Sequence, residues 1–138
     1  MIRVEQTHDL DTCRALRRVV FIEEQNVPEA EEWDGLDSTA LHLLARNGDT
    51  PIGTARLLLK GETGKIGRVC VLAEARGLGI GAALIRAGEA LLAKQGCTRA
   101  QLGAQCHAIP FYEKLGFTAY GPIYDDAGIP HRDMEKPL

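Results

Sequence analysis

Val69-Cys70-Val71-Leu72-Ala73-Glu74-Ala75-Arg76-Gly77-Leu78-Gly79-Ile80-Gly81-Ala82-Ala83-Leu84 is the stretch that decides how this chain is read. It lies within a longer run, Ile66 to Leu92, that reads as a β-branched strand, a short turn, a glycine-rich loop and an amphipathic helix. A glycine-rich loop at a helix N-terminus can turn several free backbone N–H groups toward an anion. The helix macrodipole favours negative charge at the same point. The alternative reading is a tight glycine turn between packed elements.

The 138 residues suffice for one domain with a real core and not for two, so residues 1–138 are read as a single domain. With 45% hydrophobic and 25% charged residues, the composition is that of an ordinary soluble globular protein. Met1 to Leu10 lacks the apolar core of a signal peptide, and no run approaches the ~18 apolar residues of a membrane span. The four cysteines (Cys13, Cys70, Cys97, Cys106) form no C-x-x-C pair, which favours reduced thiols and a cytoplasmic location, with no metal site expected.

Net charge is −3, but it is unevenly spread. No Lys or Arg stands between Val19 and Ala45, where Glu23, Glu24, Glu29, Glu31, Glu32, Asp34 and Asp37 contribute −7, leaving +4 for the remainder. The asymmetry suggests ligands of opposite charge, or a solvated acidic surface. Neither a nucleic-acid partner nor a membrane is expected from this balance.

Along the chain, Ile2–Gln6 alternates as a strand. Asp9 caps a helix to about Gln25, with Leu10, Cys13, Leu16 and Val20 on one face. Val27-Pro28 stops it, and Glu29–Ser38 reads as a loop or short helix anchored by Trp33. Ala40–Ala45 and Pro51–Lys60 form a hairpin about Asn47-Gly48, and a second turn at Gly61–Gly64 leads into the strand Ile66–Leu72. The helix after the glycine loop carries Ile80, Leu84, Ala87 and Leu91 in a stripe, with Gly96 at its end. Gly88 lets that helix lie close on a sheet. A strand at Ala100–Gln105, a short helix about Phe111–Leu115 and a closing hairpin of Phe117–Tyr124 and Pro130–Glu135 follow. The fold class is therefore α/β, with a mixed sheet flanked by helices.

Gly77-x-Gly79-x-Gly81 departs from the dinucleotide fingerprint and lacks a P-loop's Lys-Ser/Thr ending. Three hairpin-linked strands precede it, where a dinucleotide fold would have one. Instead Arg76-x-x-Gly79-x-Gly81, preceded by Val69-Cys70-Val71, resembles the acyl-CoA-binding motif of the GNAT superfamily of N-acetyltransferases. Ala108-Ile109-Pro110-Phe111-Tyr112-Glu113-Lys114-Leu115-Gly116-Phe117 resembles that superfamily's second motif, in the same order and at the same separation. Arg17 to Pro28 and the ending Asp126 to His131 look like a small bacterial branch of it, so the resemblance covers nearly the whole chain.

The resemblance implies a mostly antiparallel sheet in which the strand Ile66–Leu72 carries a bulge and splays from the next strand, and acetyl-CoA as co-substrate. The amides of Arg76, Gly77, Leu78, Gly79, Ile80 and Gly81 would hold the pyrophosphate. The backbone of Val69, Cys70 and Val71 would border the pantetheine arm, and the Val71 amide would face the thioester carbonyl. Tyr112 matches the tyrosine that protonates the departing thiolate, with Phe111 beside it; the plainer reading of Tyr112 is aromatic packing. Gln105 stands where similar proteins often have Asn, which leaves its cofactor contact open.

The acceptor is expected to be a small-molecule or protein amine, with the acidic span favouring a cation; the resemblance leaves a homodimer open. An amine arrives protonated and needs a base. Glu23, Glu24, His42, His107 and His131 are all candidates, each with an ordinary surface or structural reading. Cys70 and Cys106 read as buried thiols and not as nucleophiles. The expected activity is acetyl transfer to a primary amine by direct attack in a ternary complex, against a non-catalytic acyl-CoA sensor of the same fold.

Overall fold

Alternating apolar residues near both termini and three tight turns produce one seven-stranded sheet in the computed structural model, which describes residues 1–138. The strands are β1 (Ile2–Thr7), β2 (Leu41–Asn47), β3 (Thr50–Lys60), β4 (Thr63–Val71), β5 (Arg99–Gln105), β6 (Thr118–Asp126) and β7 (Ile129–Pro137). Their order across the sheet is β1-β2-β3-β4-β5-β7-β6. Every neighbouring pair is antiparallel except β4 and β5, which are parallel. The expected mixed sheet, element order and splayed central pair are all present. No helix is long and apolar enough to cross a membrane.

The helix α1 (Leu10–Arg17) begins where expected: the Asp9 carboxylate accepts from the Thr12 amide (3.2 Å) and hydroxyl (2.6 Å). It does not continue regularly to Gln25. From Arg18 to Glu24 the winding widens to a π-helix before Pro28 ends it. The long helix α3 (Ile80–Lys94) follows the glycine loop, after the short α2 (Glu29–Glu32), and α4 (Ile109–Lys114) is the second short helix.

The α3 stripe is rotated slightly from the expected one. Ile80, Leu84, Ile85, Gly88 and Leu92 are buried, while Ala87 and Leu91 sit on its flank. Gly88 lies at the seam: a Cβ there would stand 3.3 Å from Leu57 and 3.6 Å from Ile66, so the missing side chain sets how closely α3 approaches β3 and β4.

A buried polar knot was not expected. Arg17, 1% exposed, donates from Nε to Glu32 (2.8 Å) and from Nη1 to Asp37 (2.8 Å). Arg56 of β3 grips both oxygens of Asp34 at 2.8 Å and reaches Asp37 at 3.1 Å. Arg14 reaches Asp37 at 3.1 Å, and Arg68 of β4 lies 3.0 Å from Glu32, though off the N–H line. Trp33 covers the knot, with the Arg17 and Arg18 guanidiniums 5.3 and 5.7 Å from its ring centroid. Four arginines face three carboxylates, and Arg56 Nε is left without an acceptor. Burial alone would raise the Asp37 carboxyl, but Arg17, Arg14 and Arg56 outweigh it and hold it at about 2.

The acidic span is therefore mostly spoken for inside the molecule. Glu24, Glu29, Glu32, Asp34 and Asp37 each pair with an arginine, and Glu23 and Glu31 do not. Removing one partner of a buried pair strands the other charge, whereas an exposed pair contributes little. Arg17→Met is expected to lower the urea-unfolding free energy by about 3–5 kcal/mol, and Arg18→Met, which loses the exposed pair with Glu29 and the contact with Trp33, by much less. Equal losses in the two variants would contradict the knot's structural role.

Candidate active site

The parallel strands β4 and β5 pair over only three steps, Thr63 with Arg99, Gly64 with Ala100 and Lys65 with Gln101, and then part. The cause of the parting lies in β4. Its register against β3 slips between Thr54 and Arg56, where Arg68 and Val69 form a bulge and Arg68 takes a left-handed φ of 50°. The Arg68 side chain ties that bulge to Glu32 and Asp34, so the knot under Trp33 holds the bent strand in place.

Beyond the vertex lies a cavity of about 250 Å³. Its walls are Ile66 to Val69 on one side and Leu102, Gly103 and Gln105 on the other. Phe21, Gln25, Val27 and Glu31 close it from the helical segment, and Tyr124, Asp126, Ala127, Ile129 and His131 from the last hairpin. The Leu72 amide donates to Ile52 of β3 (2.9 Å), so by strand alternation the Val71 amide points to the open edge. Cys70 faces the other way: its thiol is buried beside Cys13 and Leu16, and burial pushes it up to about 12. It offers neither a nucleophile nor a side-chain contact to the cleft.

The glycine loop stands at the end of β4. Gly77 and Gly79 adopt φ of 83° and 78°, and α3 starts with no side-chain cap, leaving its first amides free. Arg76 is not free. Its Nε donates to the Val71 carbonyl (3.0 Å) and its two terminal nitrogens bind Glu24 at 2.7 Å each. Leu78 is exposed at the loop's tip, and Ile80 anchors the helix in the core. Phe111 joins the two motifs, since a Cβ on Gly81 would stand 3.4 Å from its ring. Its ring meets Tyr112 edge-on at 5.0 Å.

Tyr112 lines the cavity, and it also packs edge-on against Phe117 at 6.1 Å, as the plainer reading of this residue expects. Burial pushes its phenol up to about 12, which keeps it protonated and able to give a proton. Gln105 spans the cleft to donate to Gln25 (2.9 Å).

Among the candidate bases, Glu24 is engaged by Arg76, which holds its carboxyl below the ordinary range. His42 is buried within 2.9 Å of the Asp37 carbonyl, far from the cleft's lining. Glu23 and His107 are exposed and do not line it. His131 does. Tyr124, Gly103 and Asp133 are additions that sequence reading missed, although the turn centred on Ala127-Gly128 makes Tyr124 and His131 cross-strand partners.

The acetyltransferase (GNAT) domain family matches residues 10–138. The uncharacterized N-acetyltransferase YjcF of Bacillus subtilis is 39% identical over 122 residues, spanning 88% of this chain and 87% of that one. An acyl-CoA N-acyltransferase from Pseudomonas aeruginosa has a solved structure 32% identical, with a TM-score of 0.84 over 99% of this chain and 98% of its own. A Bacillus subtilis acetyltransferase solved in complex with CoA shares the fold at 19% identity, with a TM-score of 0.76 over 100% of this chain and 99% of its own.

All three tyrosines are held above the ordinary phenol value. For Tyr120 and Tyr124 burial leads and the Asp133 charge adds to it, and Asp133 also bonds the Tyr124 hydroxyl. An ultraviolet titration of the native protein is therefore expected to show less than half of the tyrosine ionised at pH 10, and Tyr112→Phe to remove an ionisation near 12. A normal transition at pH 10 would contradict the sheltered environment.

Proposed function

Because the chain belongs to the GNAT family of acetyltransferases, we propose that it moves an acetyl group from acetyl-CoA onto a primary amine by direct attack in a ternary complex. Family membership itself makes it an acyl-CoA-dependent acyltransferase. The acceptor, the order of events and the roles of individual residues are our reading.

One observation carries that reading. The parting of β4 from β5 leaves an unpaired strand edge and a sheltered phenol on one cavity, and Tyr112 packs on Phe111, which lies over Gly81 at the uncapped start of α3. The amides of residues 76–81 would hold the pyrophosphate, for which the left-handed glycines leave the approach open. The bordering strand Val69–Val71 would take the pantetheine arm as an added strand, with the Val71 amide facing the carbonyl. When bound, acetyl-CoA supplies an acyl group activated as a thioester. Tyr112, still protonated at neutral pH, gives its proton to the departing sulfur. No side chain supplies a nucleophile: Cys70 is turned away and protonated, which favours direct attack by the amine over a covalent relay.

The acceptor side of the cavity carries Glu31 and Asp126 without ion-pair partners, and Lys65 at the vertex. Once five carboxylates of the acidic span are neutralised within the fold, these two remain to attract a cationic amine, free or on a protein. The four free cysteines accord with a cytoplasmic setting.

The test is mass-spectrometric detection of acetylated products across an amine panel, with thiol release followed in parallel. Acceptor-dependent release is expected, and Tyr112→Phe should lower kcat by about 100-fold while CoA affinity stays near wild type. Tight CoA binding with no acceptor-dependent release across the panel would favour a sensor instead.

A further inference from the structure

We infer that His131 is the general base of this reaction, removing a proton from the incoming ammonium through Nε2. The inference rests on the proposed acetyl transfer, and four observations carry it.

First, His131 lines the cavity while being only 9% exposed, so it borders the same space as Tyr112. Second, its tautomer is determined. Nδ1 lies 2.7 Å from the Ile129 carbonyl, which has no proton to give, so Nδ1 carries the hydrogen and Nε2 of the neutral ring keeps its lone pair. Third, the ring is held in place. It stacks on Tyr124 at 5.9 Å and 24°, and the Tyr124 hydroxyl is fixed by its bond to Asp133 (2.7 Å). Gly103 makes room for that hydroxyl, since a Cβ there would stand 2.5 Å from it. Fourth, Glu24 is engaged by Arg76, His42 lies against the Asp37 carbonyl, and Glu23 and His107 are on the exterior, while Glu31 and Asp126 border the cavity with no side-chain hydrogen bond to orient them as Ile129 and Tyr124 orient the imidazole.

The proton inventory closes. Nε2 takes one proton from the ammonium and the imidazolium later releases it to solvent. The amine nitrogen then bonds to the acyl carbon as the carbon–sulfur bond breaks. Tyr112 protonates the sulfur and recovers the second proton that nitrogen loses on becoming an amide. Several groups surround His131. Tyr124, Asp125 and Asp126 come from β6, and Gln105, Cys106 and His107 from β5 and the turn after it. Glu31, Glu32, Lys65, Arg68 and Tyr112 line the rest of the cavity. Of the carboxylates, Glu32 is already paired with Arg17 and Arg68, Asp125 accepts from the Gly128 amide, and Glu31 and Asp126 are unpaired.

The test compares cadaverine, protonated at pH 7, with methoxyamine, neutral at pH 7, as acceptors for wild type, His131→Asn and His131→Ala. His131→Asn keeps an amide donor for the Ile129 carbonyl and removes the base. The expected result is a loss of about 100-fold or more in kcat/KM with cadaverine and a much smaller loss with methoxyamine. The acid limb of the pH profile should disappear, and added imidazole should partly restore His131→Ala. Nitrogen-15 NMR of the unliganded protein should show His131 as the Nδ1–H tautomer. Equal losses with both amines, an unchanged pH profile or an Nε2–H tautomer would overturn the assignment. If wild type acetylates neither amine, the transfer reading fails for these acceptors and the assignment falls with it, whereas active wild type with unaffected His131 variants overturns the base alone.

Discussion

The cleft depends on the arginine–carboxylate knot beneath Trp33. A parallel pair such as β4 and β5 would ordinarily continue its ladder, and two strands that part leave backbone groups without partners. Here the bulge at Arg68 bends β4 away, and a non-glycine residue at a left-handed φ needs surrounding contacts to hold it. Those contacts come from Glu32 and Asp34, which Arg17 and Arg56 fix in turn. Arg17, Glu32, Asp37 and Arg56 are buried with their partners, so removing any one of these four strands a charge. The helical segment, the bent strand and the cleft thus share one electrostatic constraint.

That constraint also changes the meaning of the acidic span. As a string of residues it looks like a surface awaiting a cation. In the fold, five of its seven carboxylates answer arginines of α1, the π-helical turn, β3, the β4 bulge and the glycine loop. Glu31 and Asp126, one from the helical segment and one from the last hairpin, line the cavity unpaired. Tyr112 and His131 line the same cavity. The sheltered phenol of Tyr112 can give a proton, and the positioned imidazole of His131 can take one.

Much of this was legible in the residues. Gly79, Gly96 and Pro110 mark where helices begin and end, and the hairpin turns set the order of strands. The two motifs bring Tyr112 and the glycine loop to one end of β4. The knot was not legible, because Arg17, Glu32 and Asp37 are residue types that pattern reading leaves in solvent. The signal was present in part: an arginine-rich α1 precedes a stretch with no cation of its own. The bulge in β4 came from the resemblance and not from the residues themselves, since its left-handed residue is Arg68 and not a glycine. The Tyr124–His131 stack followed from turn symmetry, but its place at the cleft depends on β7 lying between β5 and β6, a long-range pairing that local pattern does not encode.

The central claim is that the open edge of β4 and the start of α3 receive acetyl-CoA as one continuous site. Residue-resolved amide hydrogen exchange, with and without CoA, tests it most directly. The account predicts slowed exchange at Val71 and at Gly79 to Gly81, with the amide of Leu72, already bonded to β3, little changed. Protection confined to other segments, or binding that leaves the Val71 amide unaffected, would contradict it.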